Sequence, residues 1–286
     1  MSSTFDPEFG FEVSQLDAAE LTTHYRDFKR QYIELLKRAV RVSRGSGGIY
    51  VEGNQLAYAS VLFTRICARA KSFKVLLPDC KPGEHWDFSS LATLARNLLE
   101  AYFWYFWLCE DEVDADERQA RFILLYCHDY GTRGRLWPDA DRDRHHDEVM
   151  EDLTKRFDEN RFLLTYDDRR RKEALKGHKT PFTQDEVLDR IGVPKEEFRV
   201  LYRFFSQHTH SGPVSFFRSR DLDMGSGVET EQEKRYAIMA IATAIGALSS
   251  AIEGHLKLFP DAETRSPHLT SQQIQRNVER NQGRRR

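Results

Sequence analysis

Between Phe88 and Cys109 the chain places Leu91, Leu94, Leu98, Leu99, Tyr102, Phe103 and Phe106 at intervals of mostly three or four residues. Only a helix gathers residues at that spacing on one side, and an apolar stripe this broad has to be covered by neighbouring elements. The same period recurs along most of the chain. Asp17 to Arg44 opens on an Asp cap and carries Leu21, Tyr25, Phe28, Tyr32, Leu35, Leu36 and Val40, and Gly45 to Gly48 break it. Asn54 to Leu76 carries Leu56, Leu62, Phe63, Ile66 and Phe73, and Pro78, Pro82 and Gly83 make the following loop. A further helix is expected over Ala115 to Leu136, ending at Trp137-Pro138. Thr183 to Ile191 starts on a Thr cap with Glu186 three residues on, which is a capping box. Glu196 to Ser211 and Glu229 to Leu258 follow, with Phe216 to Thr230 read as a loop between them. Strand alternation, internal repeats and a heptad seam are absent from the pattern. The expected fold is all-α, a multi-helix bundle, and bundles build their sites between facing helices.

Asp139 to Lys179 differs in character: mixed charge is dense and the amphipathic pieces are short. A charged helical insert on the surface of one domain spanning about 1–260 is expected there. Residues 261–286 are polar and end in Arg284, Arg285 and Arg286, so a disordered basic tail is expected. The formal net charge of −2 excludes a bulk attraction to nucleic acid or acidic lipid, leaving only local patches such as Arg169, Arg170 and Arg171 or the tail to hold phosphates. Cys67, Cys80, Cys109 and Cys127 sit far apart beside apolar patterns, as reduced core thiols do, which suits a cytoplasmic setting. The first twenty residues lack the basic start and apolar run of a signal peptide. Tyr236 to Ile252 approaches the length of a membrane span but is rich in Ala and Ser; Ala240, Ala244, Ala247 and Ala251 at helical spacing fit a central buried helix instead, and no membrane is expected as a partner. No phosphate-binding glycine loop, dinucleotide fingerprint, Glu-x-x-His pair or metal-ligand spacing is present, so neither cofactor nor metal is expected. His145-His146-Asp147 lies among alternating Asp and Arg, the composition of a solvated face.

The segment Glu196 to Pro213 holds the most suggestive chemistry. Phe198, Leu201, Tyr202 and Phe205 fall in one apolar stripe, while Arg203, Ser206, Gln207 and His210 share another face, and Gly212-Pro213 reads as the stop. His208 lies about 140° round the helix from Arg203. A helix that stays regular to Ser211 turns His208 into apolar packing, where it titrates low as a neutral core imidazole; one that unwinds after Ser206 lets both histidines converge. The alternative is that both are simply end-of-helix histidines favoured by the helix dipole. Arg96 and Glu100, one turn apart among bulky apolar neighbours, need one another, either as a structural ion pair or as part of a polar pocket shared with the Ser206/His210 face.

Arg96-x-x-x-Glu100 followed much later by Tyr202-Arg203-x-x-Ser206-x-x-x-His210 resembles an uncharacterised bacterial all-helical family of unknown function, over about Asn54 to Leu258. That resemblance implies a helical bundle with Arg96, Glu100, Ser206 and His210 as characteristic polar positions, and no activity. Arg203 followed by His208 or His210 is also similar to the Arg-His motif of the HEPN ribonucleases, although this chain has Phe204 where those carry a polar residue, and the spacing recurs at Arg121–His128 and Arg171–His178. The HEPN likeness implies metal-independent RNA cleavage or RNA binding, of toxin or defence type, on a homodimer. His210 or His208 would move protons as the RNA 2′-hydroxyl attacks, and Arg203 would stabilise charge on the phosphoryl oxygens. The competing expectation is a non-catalytic helical scaffold or a holder of a small ligand.

Overall fold

The computed structural model describes residues 16–136, 144–221 and 225–265. Ten α-helices carry the fold, with no strand among the described residues: α1 Ala18–Ser46, α2 Asn54–Val75, α3 Phe88–Tyr105, α4 Ala115–Leu136, α5 Arg144–Glu159, α6 Asp168–Lys176, α7 Gln184–Ile191, α8 Lys195–Thr209, α9 Pro213–Asp221 and α10 Glu231–Leu258. The expected caps are in place. Asp17 accepts from the amides of Ala19 and Glu20, and Thr183 forms its box with Glu186.

The centre is α10, packed against α1, α2 and α3. Ala237, Ala240, Ala244, Ala247 and Ala251 are buried along it, so the flanking backbones approach closely, while Ile238, Ile241, Leu248 and Ile252 fill the spaces between. The same helix is long and apolar enough to cross a membrane, but 72% of its apolar window is buried inside the bundle. One polar chain threads this core: His255 is held between the Tyr105 hydroxyl (3.1 Å to Nδ1) and Ser46 Oγ (2.9 Å to Nε2) and stacks on Phe63. Burial pushes its pKa down to about 4, so it packs as a neutral ring.

Helix α3 does not run regularly to Cys109. Its last turn, Phe106–Glu110, is a π-turn. The carbonyls at that turn are met by side chains from elsewhere: Trp107 O by the Arg121 guanidinium, Leu108 O by Arg118 Nη1 (2.9 Å) and Cys109 O by Gln55 Nε2 (2.7 Å). Arg121 is itself buried and paired with Asp111 and Glu117, which Arg190 of α7 joins. This ties α4, the π-turn and α7 together, and gives the Arg121 of the recurring Arg-His spacing a structural task.

The charged insert packs against α4 through α5 and α6. It is less superficial than its composition indicates, because Leu153, Phe157 and Leu163 are buried. Two further differences follow from proline and from chain end. Pro213 does not merely stop α8; it occupies the first turn of α9, where its missing N–H is no loss, so part of the expected loop is helical. Beyond Pro260 a short 3-10 turn, Pro260–Glu263, docks on α1, with Arg38 gripping Glu263 through two bonds (2.7 and 2.9 Å), so the polar remainder begins later than residue 261. The expected tail, including Arg284, Arg285 and Arg286, otherwise lies outside the described residues. Cys67, Cys109 and Cys127 are buried free thiols with raised pKa, Cys80 half-buried.

Candidate functional site

Helices α3 and α8 lie antiparallel along an aromatic seam. Phe198 meets Phe103 near one end, and Phe204 and Phe205 meet Phe88 near the other. The seam fixes the rotation of both helices, and with it the polar groups at its edge. His208 faces inward beside Phe88 and Phe204, with Nδ1 3.0 Å from Ser89 Oγ. Burial lowers its pKa, with Asp87 acting weakly against, as expected for a helix that stays regular. That helix ends at Thr209: His210 is the C-cap, and it is Ser211, with φ of 49°, not Gly212, that turns the chain.

His210 consequently swings out over α3. Arg96 Nη1 lies 3.1 Å from His210 Nε2, and since a guanidinium only donates, Nε2 accepts and the ring proton sits on Nδ1. Arg96 Nη2 lies 2.9 Å from Glu100 Oε1. The Tyr202 hydroxyl donates to the same carboxylate oxygen at 2.5 Å, and the Arg96 guanidinium sits 4.9 Å from the Tyr202 ring centre. Burial works against the charge on Arg96, but Tyr202 and Glu100 outweigh it and its pKa is raised. The Tyr202 phenol is raised by burial and then by Glu100. Four groups, two basic and two acidic, thus form one hydrogen-bonded cluster at the α3–α8 edge.

Glu100 also lines a cleft of about 600 Å³ bounded by α2, α3 and α4. Its walls include Tyr58, Trp104 and Tyr126, with Arg65, Arg69 and Asn97 among its polar groups. Arg65 and Arg69 stand one turn apart on α2, and neither makes an ion pair with a described carboxylate. Burial first, and the neighbouring Arg65 second, push the Arg69 pKa down, while Glu100 acts the other way. Asp129, on the opposite wall, is already matched by Arg133 at 2.8 Å. His128 gives Nδ1 to the Gly177 carbonyl (2.9 Å) and lies against Trp104.

Residues 56–227 match the family described as a family of unknown function, DUF5677. The chain belongs to this family. The match takes in the whole cluster and the cleft; α1 and α10 lie outside it, although the expected likeness, from about Asn54 to Leu258, included α10. No curated protein and no solved structure matches the chain. The match lends no support to the HEPN likeness.

Apart from His208 in the seam and the tail arginines outside the described residues, the residues named from sequence in this DUF5677 chain separate into three groups. Arg96, Glu100 and His210 meet. Arg203, Ser206 and Gln207 do not join them: Arg203 is exposed, Ser206 Oγ donates back to the Tyr202 carbonyl (2.8 Å), and the Gln207 side chain lies against Gly212. The insert arginines lean on their own surroundings. Arg171 holds Asp158 through two bonds, Arg170 stacks on Tyr166, and Arg169 sits 3.7 Å from Glu173. Arg65, Arg69 and Trp104 are site residues that the pattern did not single out, and Tyr202 of the motif joins the cluster through its hydroxyl. Among the described residues no three His, Cys, Asp or Glu side chains gather as metal ligands would; the His145 side chain is not among those described.

Proposed function

We propose that this chain is a small-ligand-binding helical protein whose site is the α2–α3–α4 cleft, closed on one side by the Arg96–Glu100–Tyr202–His210 cluster. The observation that carries the reading is the double membership of Glu100, which belongs to the hydrogen-bonded cluster and lines the cleft. A concave, aromatic-walled space of several hundred Å³ with a few convergent polar groups is the ordinary form of a small-molecule site. Arg65 and Arg69 make an anion the natural guest. Movement of Glu100 would be felt at both ends of the cluster, so occupancy of the cleft and the Arg96–His210 contact are coupled in this reading.

Cleavage of RNA is the second reading, favoured by one observation: a guanidinium and an exposed imidazole 3.1 Å apart at the surface. In that chemistry Arg96, rather than Arg203, would lie nearest a phosphoryl oxygen, and His210 would act through Nδ1 or after releasing Arg96. A homodimer belongs to this second reading alone.

One set of variants tests both. Wild type, Arg69→Ala, Arg203→Ala, Arg96→Ala and His210→Ala are melted against a panel of anionic metabolites and incubated with total RNA without added metal. A ligand present at a hundred times its Kd stabilises by about 2.7 kcal/mol, which is on the order of 5 °C for a chain of this size. The cleft reading expects such a shift in wild type and Arg203→Ala and its reduction in Arg69→Ala. The nuclease reading expects RNA cleavage abolished by Arg96→Ala and His210→Ala; intact RNA with wild type removes it.

A further inference from the structure

Building on the cleft reading, we propose that the ligand is a mononucleotide, its phosphate monoester held between Arg65 and Arg69 and its base laid against Trp104.

The charge balance of the cleft specifies the phosphate. Of its two carboxylates, Asp129 is matched by Arg133 and Glu100 by Arg96 with the Tyr202 hydroxyl. Arg65 and Arg69 are left over, side by side on α2. Residues four apart on a helix stand roughly 5–6 Å apart at Cβ, so two guanidiniums converge on one small group while repelling each other in its absence. A dianion relieves that repulsion more fully than the single charge of a carboxylate, and the planar fork of each guanidinium can take two phosphate oxygens. Arg69 is also half-buried, so its charge has lost part of its water and gains most from an anion.

The walls specify the rest of the molecule. Trp104 meets Trp107 and Phe182, which lie outside the cleft lining, at steep angles, stacks at 6.0 Å on His128 of the cleft wall, and keeps a half-buried surface toward the cleft. Tyr58 and Tyr126 stand on the facing side, joined through their hydroxyls at 3.3 Å. Rings held rigidly by their neighbours make a stacking platform for a planar base, and such stacking tolerates any of the bases. Asn97, with an acceptor and two donors on its amide, lines the same space and can meet a base edge.

Isothermal titration of the purified full chain decides the matter. The probes are AMP, GMP, CMP and UMP, with adenosine and inorganic phosphate as the two halves, and the aromatic anion anilinonaphthalene sulfonate as a cleft probe. At least one nucleotide is expected to bind more tightly than either half by about tenfold or more, each half lacking one set of contacts. Arg65→Ala and Arg69→Ala should each weaken it by about tenfold, the scale of one lost charge-assisted contact. Trp104→Leu should weaken nucleotide and adenosine but not inorganic phosphate, and Arg30→Ala, on exposed α1 surface, should change nothing. Thermal melts check that each variant folds; if Arg69→Ala does not, the exposed Arg65 carries the test. Nucleotide binding unaffected by both arginine variants overturns the proposal. Binding of the sulfonate dependent on Trp104 with no nucleotide binding also overturns it and leaves the cleft reading standing. If none of the probes binds, both fall.

Discussion

Glu110 shows how one side chain can set the pH response of the whole chain. It sits at the end of the π-turn with Oε2 buried and without a hydrogen-bond partner, against Gly254 of α10, and Lys257 lies 3.7 Å from its other oxygen. Burial raises its pKa from the ordinary 4.5 to about 7, Lys257 and Tyr102 acting against. A carboxyl that holds its proton more tightly in the folded state stabilises that state at low pH. That contribution is complete below about 4.5 and is lost as pH rises through 7, in total about 3 kcal/mol. His255 has the opposite sign. Its pKa falls from 6.5 to about 4, so its contribution is complete above 6.5 and is lost as pH falls through 4, again about 3 kcal/mol. His208, also lowered by burial, adds to the His255 slope, and Glu233, raised by burial, adds to that of Glu110. The two slopes oppose each other between pH 4.5 and 6.5, so the wild-type melting temperature is expected to be nearly flat there. Glu110→Gln removes one of them: it should melt several degrees above wild type at pH 8, match it near pH 4.5, and gain stability with pH in between. Melting curves from pH 4 to 9 are the check, and an equal shift at every pH would remove the buried carboxylate as the cause. The legibility of single residues followed the same physics. Arg96 and Glu100 stood out because polar groups amid bulky apolar ones demand partners, and His210 because it shares a helix face with Arg203, Ser206 and Gln207. Tyr202 entered only through the family motif, because its ring belongs to the apolar stripe, stacking on Phe198, while only its hydroxyl reaches the cluster. Arg65 and Arg69 look like any solvated helix face until α4 is placed opposite them.

At the scale of elements, the period of the apolar residues was enough to find the helices, and caps placed several of their ends, Thr183 and Asp17 among them. What it did not carry was irregularity: the π-turn keeps an apolar composition, and the proline that ends one helix also opens the next. Nor did it reveal how the charged insert is fastened. Gly131 on α4 and Gly177 at the end of α6 are far apart in sequence, yet a Cβ at Gly131 would run into the Lys176 carbonyl, and one at Gly177 into the Cys127 carbonyl. Gly177 also has φ of 62°, closing α6 in the left-handed region that glycine tolerates best. Backbone thus lies directly on backbone at this crossing, and the His128–Gly177 bond fixes its height. Gly131→Ala forces α4 and α6 apart and is expected to cost about 1–3 kcal/mol, as overpacking does. Because α6 carries Arg169, Arg170, Arg171 and Lys172, the loosening should be visible as faster tryptic cleavage within the insert. Gly192→Ala is the control: it too has positive φ, but nothing lies within reach of an added Cβ, so it should lower stability by only about 1 kcal/mol without exposing the insert. Equal cleavage of both variants would mean that the crossing does not hold the insert.

On the scale of the whole molecule, the family-matched residues 56–227 and the folding unit are different things. The matched span carries the cluster, the cleft and the insert, whereas α1 and α10, which cover the opposite face of α3 and α2, lie outside it. Ile238, Ile241, Leu248 and Ile252 of α10 are each essentially fully buried. Burial of such side chains contributes about 1.5–3 kcal/mol apiece, so these four alone rival the roughly 5–15 kcal/mol by which a domain is stable. Removing α10 also strips the cover from Phe63 and Tyr105 and leaves the Tyr105 hydroxyl without His255. A chain of residues 54–228 is therefore expected to lack a cooperative melt and to bind dyes of exposed apolar surface, whereas residues 16–265 should melt in a single step. Supplying α10 alone should not rescue the short chain, because α1 packs on α10 along its length and Tyr25 and Tyr32 bond across to the Pro78 and Ala70 carbonyls (2.8 Å each). A cooperative transition in 54–228 would show that the site-bearing helices hold themselves together and that α1 and α10 are additions to a core already complete. The expected outcome is the reverse: the aromatic seam that aims Arg96 at His210 depends on α3, and the face of α3 away from the cleft is packed by α10, which contributes no residue to the site.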